Sequence, residues 1–508
     1  MTRSPDTPGS RDSALAIVGS DGRLPGRKHR FDLKRTLLML LGPALFCLAY
    51  FSPAWPDAVD PEGQTFFLSP EGQAALGLFL FTVTWWVAEV VPIGVTSIAV
   101  GVIQALLLIR PARVAFTDFL DPSVWFILGS LTIGMVFTKT GLTRRIAYKM
   151  LVIVGERTSM ILLGCFLLTT GLTLIMAHTA VAATVYPLFL AIHSLYTDEE
   201  GPTKFGKNLF MGMAYVAGAG SIITLLGAAR GAVAIGFFRD ITGRTVSFFE
   251  LTWYMLPVGV IMTILLWIYF MFYFKPEKKR IPGLRERAKK LYESLGPITA
   301  REIGTLVIVA LVIILLGLRS LFPALEFLDK SAVILTATVL FFAFNILRIE
   351  DLEEIPWNII LLFGGAMSIG FCLWQTGAAE WLAVHWLTMF QSAPWFLFVM
   401  GIALFVLIMT NVIMNVAAIA ISLPVALVIA PYLDVSYDVV LYASLVAAGM
   451  PFLLLVGAAP NAIAYASGQF TTKEFFTCGI PASILLMVVL GVFVLLIWPL
   501  MGMPVLLS

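Results

Sequence analysis

Polar residues in this chain gather in short clusters. Between them run apolar stretches long enough to cross a bilayer, for which a helix needs about 20 residues. The pattern predicts spans at 36–51, 74–92, 95–109, 124–138, 209–238, 248–274, 303–321, 331–347, 355–373, 439–465 and 475–501. Two further apolar stretches, 160–195 and 395–430, are interrupted near the middle, at Ala177-His178-Thr179-Ala180 and near Asn415. The first reads either as a full span or as a re-entrant hairpin with its tip at His178. Parity selects the hairpin. With it, segment 275–302, carrying nine Lys or Arg against four Glu, shares a side with Arg144, Arg145 and Lys149. Arg27, Lys28, Arg30, Lys34 and Arg35 flank the first span on that same side, which the positive-inside rule makes cytoplasmic. Arg110 and Arg113 are exceptions, left outside.

The fold class expected is therefore an all-α polytopic membrane protein, with about eleven transmembrane helices plus two re-entrant hairpins. A polar, disordered cytoplasmic N-terminus (1–35) precedes one membrane domain (36–508). Within it, a first repeat at about 74–274 and a second at about 303–501 flank the basic loop 275–302.

Residues 456–465 read VGAAPNAIAY in the middle of an otherwise apolar span. Pro460 removes a backbone donor and Gly457 loosens the turn before it, so the helix is expected to break. A second break is expected at 227–231, reading GAARG. Irregular backbone at membrane depth is tolerated only against protein or water, and paired interruptions in two halves point to a transporter's binding site.

The halves correspond residue by residue. Gly129, Gly134, Thr140 and Gly141 match Gly365, Gly370, Thr376 and Gly377 at one offset (365 − 129 = 236). Pro187 matches Pro424 and Ala180 matches Ala417 (424 − 187 = 237), which sets His178 opposite Asn415 and Thr179 opposite Val416. Gly227 matches Gly457 (457 − 227 = 230), which sets Arg230 opposite Pro460. The predicted span at 124–138 enters the cytoplasm and that at 355–373 leaves it, so the repeats are inverted, as in secondary transporters.

Composition narrows the classes further. The chain is 59% hydrophobic and 13% charged with mean hydropathy +0.93, which excludes a soluble protein, and its net charge of +2 is confined to loops, which removes any case for nucleic acid. Cys47, Cys165, Cys372 and Cys478 lack metal or disulfide spacing. No Asp or Glu occurs in 179–197, so His178 has no carboxylate partner for enzymatic chemistry; the hairpins and breaks also lack the acids that cation antiport needs.

The segments WWVAEVVPIGVTS, FLDPSVWFILGSLTIGMVFTKTGLTRRIA, IPWNIILLFGGAMSIG and GAAPNAIAYASGQF make the chain similar to the divalent anion:sodium symporter family from Gly77 onward. The resemblance implies a homodimer in the cell membrane, an elevator-type stroke, and transport of dicarboxylates, citrate or sulfate with sodium. It also implies hairpin tips carrying Ser-Asn-Thr and breaks reading Gly-Thr-Pro-Pro-Asn. Here the tips read Ala177-His178-Thr179 and Met414-Asn415-Val416, and the second break alone keeps a proline and Asn461. By that resemblance His178, Thr179, Asn415 and Asn461 are the expected substrate-binding residues, and the fixed charge of Arg230, which the family motif lacks, adds it to them. Thr173, Thr410, Asn415 and Gly457 are the expected weak sodium ligands.

Sodium needs hard oxygen ligands, and a guanidinium beside the first site raises the potential there. The expectation is that Arg230 replaces the first sodium, as a fixed counter-charge or as a direct anion ligand. A passive anion channel or a transport-inactive relative is the alternative. No cofactor is expected beyond Na+ as coupling ion.

Overall fold

In a bilayer, backbone groups must bond within their own segment, and each long apolar run accordingly folds as helix. The computed structural model describes residues 33–59, 65–88, 90–197, 201–325, 327–390, 394–412 and 414–507. The expectation for the N-terminal tail thus falls, up to residue 32, outside the described residues. Helices α1 (Leu33–Tyr50), α2 (Pro70–Ala88) and α3 (Ile93–Leu106) occupy the first three predicted spans. A two-residue strand pair, Ala58–Val59 with Thr65–Phe66, lies between α1 and α2. Short α4 (Ala112–Thr117) leads into α5 (Pro122–Thr140), which starts where the Asp121 side chain accepts from the Ser123 N–H and stops at Gly141, whose φ of 85° suits glycine.

Next come α6 (Leu142–Val154), α7 (Thr158–Thr173), α8 (His178–Tyr196), α9 (Lys204–Ser221), α10 (Arg230–Thr242) and α11 (Phe248–Tyr273). After α12 (Leu284–Ser294), α13 (Ala300–Leu321), α14 (Lys330–Ala343) and α15 (Ile349–Glu353), the order recurs. Helices α16 (Trp357–Gln375), α17 (Ala378–Phe390), α18 (Trp395–Val412), α19 (Asn415–Ile429), α20 (Tyr437–Gly449), α21 (Ala459–Tyr465) and α22 (Thr472–Val492) repeat the sequence α5 to α11. Five of these helices, α4, α6, α12, α15 and α17, lie outside the predicted spans. Helix α6 buries Leu142, Ala147 and Leu151 and turns Arg144 and Lys149 outward, and α12 buries only Leu284 and Ala288. The basic segment 275–302 is thus partly helical rather than a plain loop. Helix α17 is the counterpart of α6 in the second half.

Hydrogen bonds fix the sense of the hairpins. The hydroxyl of Thr158, at the start of α7, donates to the Lys278 carbonyl, and the Lys278 N–H donates to the Tyr196 hydroxyl at the end of α8. Both ends of the first hairpin therefore meet the basic segment on one face. Helix α11 carries the chain from that face to the other, where Arg244 pairs with Asp438 and the Trp498 indole donates to the Tyr254 carbonyl. The ends of the second hairpin lie there: Phe396 packs beside Gly491, and the Ser436 N–H bonds to the Val505 carbonyl. The hairpins enter from opposite faces.

Of the two exceptions to charge placement, Arg113 is exposed and Arg110 is buried. Its Nη1 pairs with Asp118 at 2.8 Å and donates to Gln104 Oε1 and the Ser368 carbonyl, tying the end of α3 to α16.

Close helix contact depends on small residues. A methyl on Gly479 in α22 would overlap the Phe452 carbonyl, which is backbone and has little room to yield, whereas Gly317 in α13 faces open space. Gly479→Ala is expected to destabilise the protein by about 1–3 kcal/mol, as overpacking typically does, and Gly317→Ala to leave the thermal unfolding temperature unchanged or slightly raised. Equal melting of the two variants contradicts this packing.

Candidate functional site

Both breaks occur, and each starts earlier than the glycine and proline signals suggest. The first covers residues 222–229, so Arg230 is the first residue of α10 rather than part of the irregular stretch. The second covers residues 450–458 apart from a single 3-10 turn, Leu455–Gly457. Pro460 opens α21 from within its first turn, where the missing N–H is one of the orphans anyway.

Hairpin tips supply the partners that irregular backbone lacks. At the first tip, residues 174–177, the His178 N–H donates to the Gly227 carbonyl at 2.9 Å and its ring Nδ1 lies 3.2 Å from the same oxygen. A carbonyl accepts, so the ring carries its proton on Nδ1 in this contact. The Thr224 hydroxyl donates to the Leu174 carbonyl, and Ser130 from α5 donates to Leu226. At the second tip the Asn411 Oδ1 accepts the N–H groups of Leu453 (2.7 Å) and Leu454 (3.2 Å). Asn461 reaches back from α21, its amide donating to the carbonyls of Pro451 (2.9 Å) and Leu454 (3.1 Å). Sequence reasoning missed Asn411; its signal was an asparagine one residue after Thr410 in an otherwise apolar hairpin arm.

The two constructions interlock. Helix α10, after the first break, packs against hairpin helix α19, and α21, after the second, packs against hairpin helix α8. Tyr215 of α9 donates to the Phe452 carbonyl in the second break. Arg230 makes the deepest connection. It is 1% exposed, its Nη2 donates to Ser221 Oγ at 2.7 Å, and a Cβ on Gly449 would lie 2.8 Å from that nitrogen. Ser221 ends α9 and Gly449 ends α20, so the guanidinium sits where two helix C-termini present partial negative charge. Among the described residues no carboxylate pairs with it, and its Nη1 has no partner. The adjoining cavity, bounded by Ser221, Thr224 and Leu445, holds about 10 Å³, space for about one water and too little for a carboxylate.

The remaining expected residues divide in two. Thr173 and Thr410 are fully buried and donate to the carbonyls of Thr170 (2.6 Å) and Ala448 (3.0 Å), so each keeps oxygen lone pairs for a cation. A Cβ on Gly457 would lie 2.7 Å from the Thr410 carbonyl oxygen, so the second break and its hairpin arm meet closely there. Asn415, the first residue of α19, and Thr179, in the first turn of α8, have side chains with no partner among the described residues, so both can take a ligand.

Residues 61–504 match the sodium:sulfate symporter transmembrane region. The sodium-dependent dicarboxylate transporter SdcS of Staphylococcus saprophyticus is 25% identical over 504 aligned positions, covering 94% of each chain. SdcS of Staphylococcus aureus RF122 is 25% identical over 482 positions, covering 89% of each. In fold the chain is similar to the Alcanivorax borkumensis YdaH transporter, with TM-score 0.54 and 15% identity over 92% of this chain and 97% of that one. It is also similar to Neisseria gonorrhoeae MtrF, with TM-score 0.53 and 13% identity over 90% and 94%.

The hydrogen bonds separate a structural asparagine from a free one. Asn411→Ala strips two buried N–H groups of their acceptor and is expected to destabilise by about 1–3 kcal/mol for each donor left unpaired. Asn415→Ala removes no such bond, and its melting temperature should match the parent while solute uptake falls. Thermal unfolding of both variants in detergent, with uptake in proteoliposomes, checks the contrast.

Proposed function

This chain belongs to the sodium:sulfate symporter family, and from that membership we propose that it moves small organic or inorganic anions, of the dicarboxylate or sulfate class, across the cell membrane by secondary active transport. The reading includes a homodimer with its N-terminus and basic segment in the cytoplasm, an elevator-type stroke of the hairpins and broken helices, and no enzymatic activity. Asn415, Thr179 and the N-terminal ends of α10 and α21 form the anion pocket, each helix end adding roughly half a positive charge. His178 and Asn461 hold the breaks that shape it. The names of the staphylococcal relatives support sodium as coupling ion.

One observation carries the reading of the site: an uncompensated guanidinium, buried at the carbonyl ends of α9 and α20. An ionised Arg at the bilayer centre costs about 2.5–3.5 kcal/mol on insertion scales. The helix C-termini offset part of that, and a bound anion offsets more. The cavity beside Arg230 is too small for a carboxylate, which favours a fixed counter-charge over a direct ligand. Meanwhile the Gly227 carbonyl is already occupied by two donors from His178, which leaves it a poor ligand for a cation. Arg230 thus stands in for the first sodium. Thr410, Asn415 and Gly457 retain a second, so the carrier couples to a single sodium ion or runs as an exchanger.

Arg230→Ala is expected to abolish uptake or to make it newly sodium-dependent, and unchanged transport in that variant counts against the role. Pairing it with His178→Asn should restore an oxygen ligand and steepen the sodium dependence of dicarboxylate uptake. Counterflow in proteoliposomes tests the carrier itself. Trans substrate should accelerate labelled uptake, and a channel or an inactive relative gives no acceleration.

A further inference from the structure

A cavity that the transport reading leaves unused lies near the basic face. A cavity of about 310 Å³ opens between hairpin helix α8 and the α6–α12 pair, at the lower end of the roughly 300–1,000 Å³ common to small-molecule sites. Its walls are chiefly apolar, with Leu151 from α6, Leu188 from α8, and Leu284 and Leu291 from α12. Arg144 and Arg287 belong to the same lining. Both are exposed, and neither side chain has a hydrogen bond or ion pair among the described residues. Their neighbours differ: Arg145 is committed to Glu302, Lys290 pairs with Glu286, and Lys289 with Glu293. Two free guanidinium groups on an apolar pocket match a ligand with an anionic head and a hydrocarbon tail. A small dianion would leave Leu188, Leu195 and Leu291 of that lining wetted, and a neutral alkane would leave both arginines unused.

We propose that this cavity binds an anionic amphiphile, a single acyl chain bearing a carboxylate or phosphate head, with its chain against Leu188, Leu195 and Leu291 and its head between Arg144 and Arg287. The occupant joins α8, on the first hairpin, to α6 and α12. It therefore braces the hairpin against that pair. Only this bracing consequence rests on the transport reading; binding does not.

The test uses full-length protein in phosphatidylcholine nanodiscs, titrated with dodecanoate, dodecyl phosphate and dodecanol below their micellar concentrations. Binding is read by thermal shift and by native mass spectrometry. Saturable binding of the two anions is expected, at least tenfold tighter than dodecanol. The double variant Arg144→Gln/Arg287→Gln should lose that preference. Both residues are solvent-exposed, so its unliganded melting should equal the parent's. Ala191→Phe, which fills the pocket from α8, should abolish binding of all three. Lysophosphatidylglycerol, a single-chain anionic lipid, added to the nanodiscs distinguishes the sources: competition with dodecanoate identifies a membrane lipid as occupant, and its absence identifies a soluble amphiphile, either being a form of the same site. Equal affinity for dodecanol, or undiminished anion binding in the double variant, overturns the proposal.

Discussion

Irregular backbone deep in a membrane is the constraint around which this protein is built. Hydrocarbon offers nothing to an unpaired N–H or carbonyl, and each orphan costs several kcal/mol. Two stretches of chain leave the helical ladder, and each is met by a hairpin. His178 and the Leu174 carbonyl serve the first, while Asn411 and Asn461 serve the second. The hairpin tips and the breaks explain each other. Neither is stable alone at that depth, so the repeated order of helices follows from one solution used twice.

The two solutions are not equivalent. In the second half, asparagines clamp the break, while Gly457 packs on the Thr410 carbonyl. In the first half, a histidine covers the Gly227 carbonyl and a guanidinium fills the space between the ends of α9 and α20. The asymmetry lies in electrostatics rather than in architecture, since both hairpins and both breaks keep their shape. A site can exchange a mobile cation for a tethered one without altering its helices.

Much of this was visible in the sequence. Long apolar runs marked the spans, and the interruptions at His178 and Asn415 marked the hairpins, because a bilayer admits few alternatives to helix. Basic clusters indicated the correct sense for the first hairpin, which Lys278 fastens at both ends. What could not be read lies where chemistry is mixed. Helices α6 and α12 carry Arg and Lys at spacings that look like solvated loops, although one face of each is buried. The breaks were displaced by several residues because glycine and proline mark where a helix can resume as well as where it stops, and Pro460 does the former. Asn411 was passed over, and Arg110 was placed outside rather than in a buried pair, because a polar group whose partners are distant in sequence carries no local pattern. The Arg110 contact with Ser368 spans 258 positions.

The placement of Arg230 has a thermodynamic side. A sodium ion that binds with the solute brings the energy of its own gradient into the cycle; a charge fastened to the backbone brings none. On the proposed reading, with Arg230 in sodium's place, the first half of the molecule would hold its solute with no ion there and would surrender one source of concentrating power. Such a carrier would accumulate weakly, a behaviour suited to swapping one metabolite for another across the membrane rather than to scavenging a scarce one.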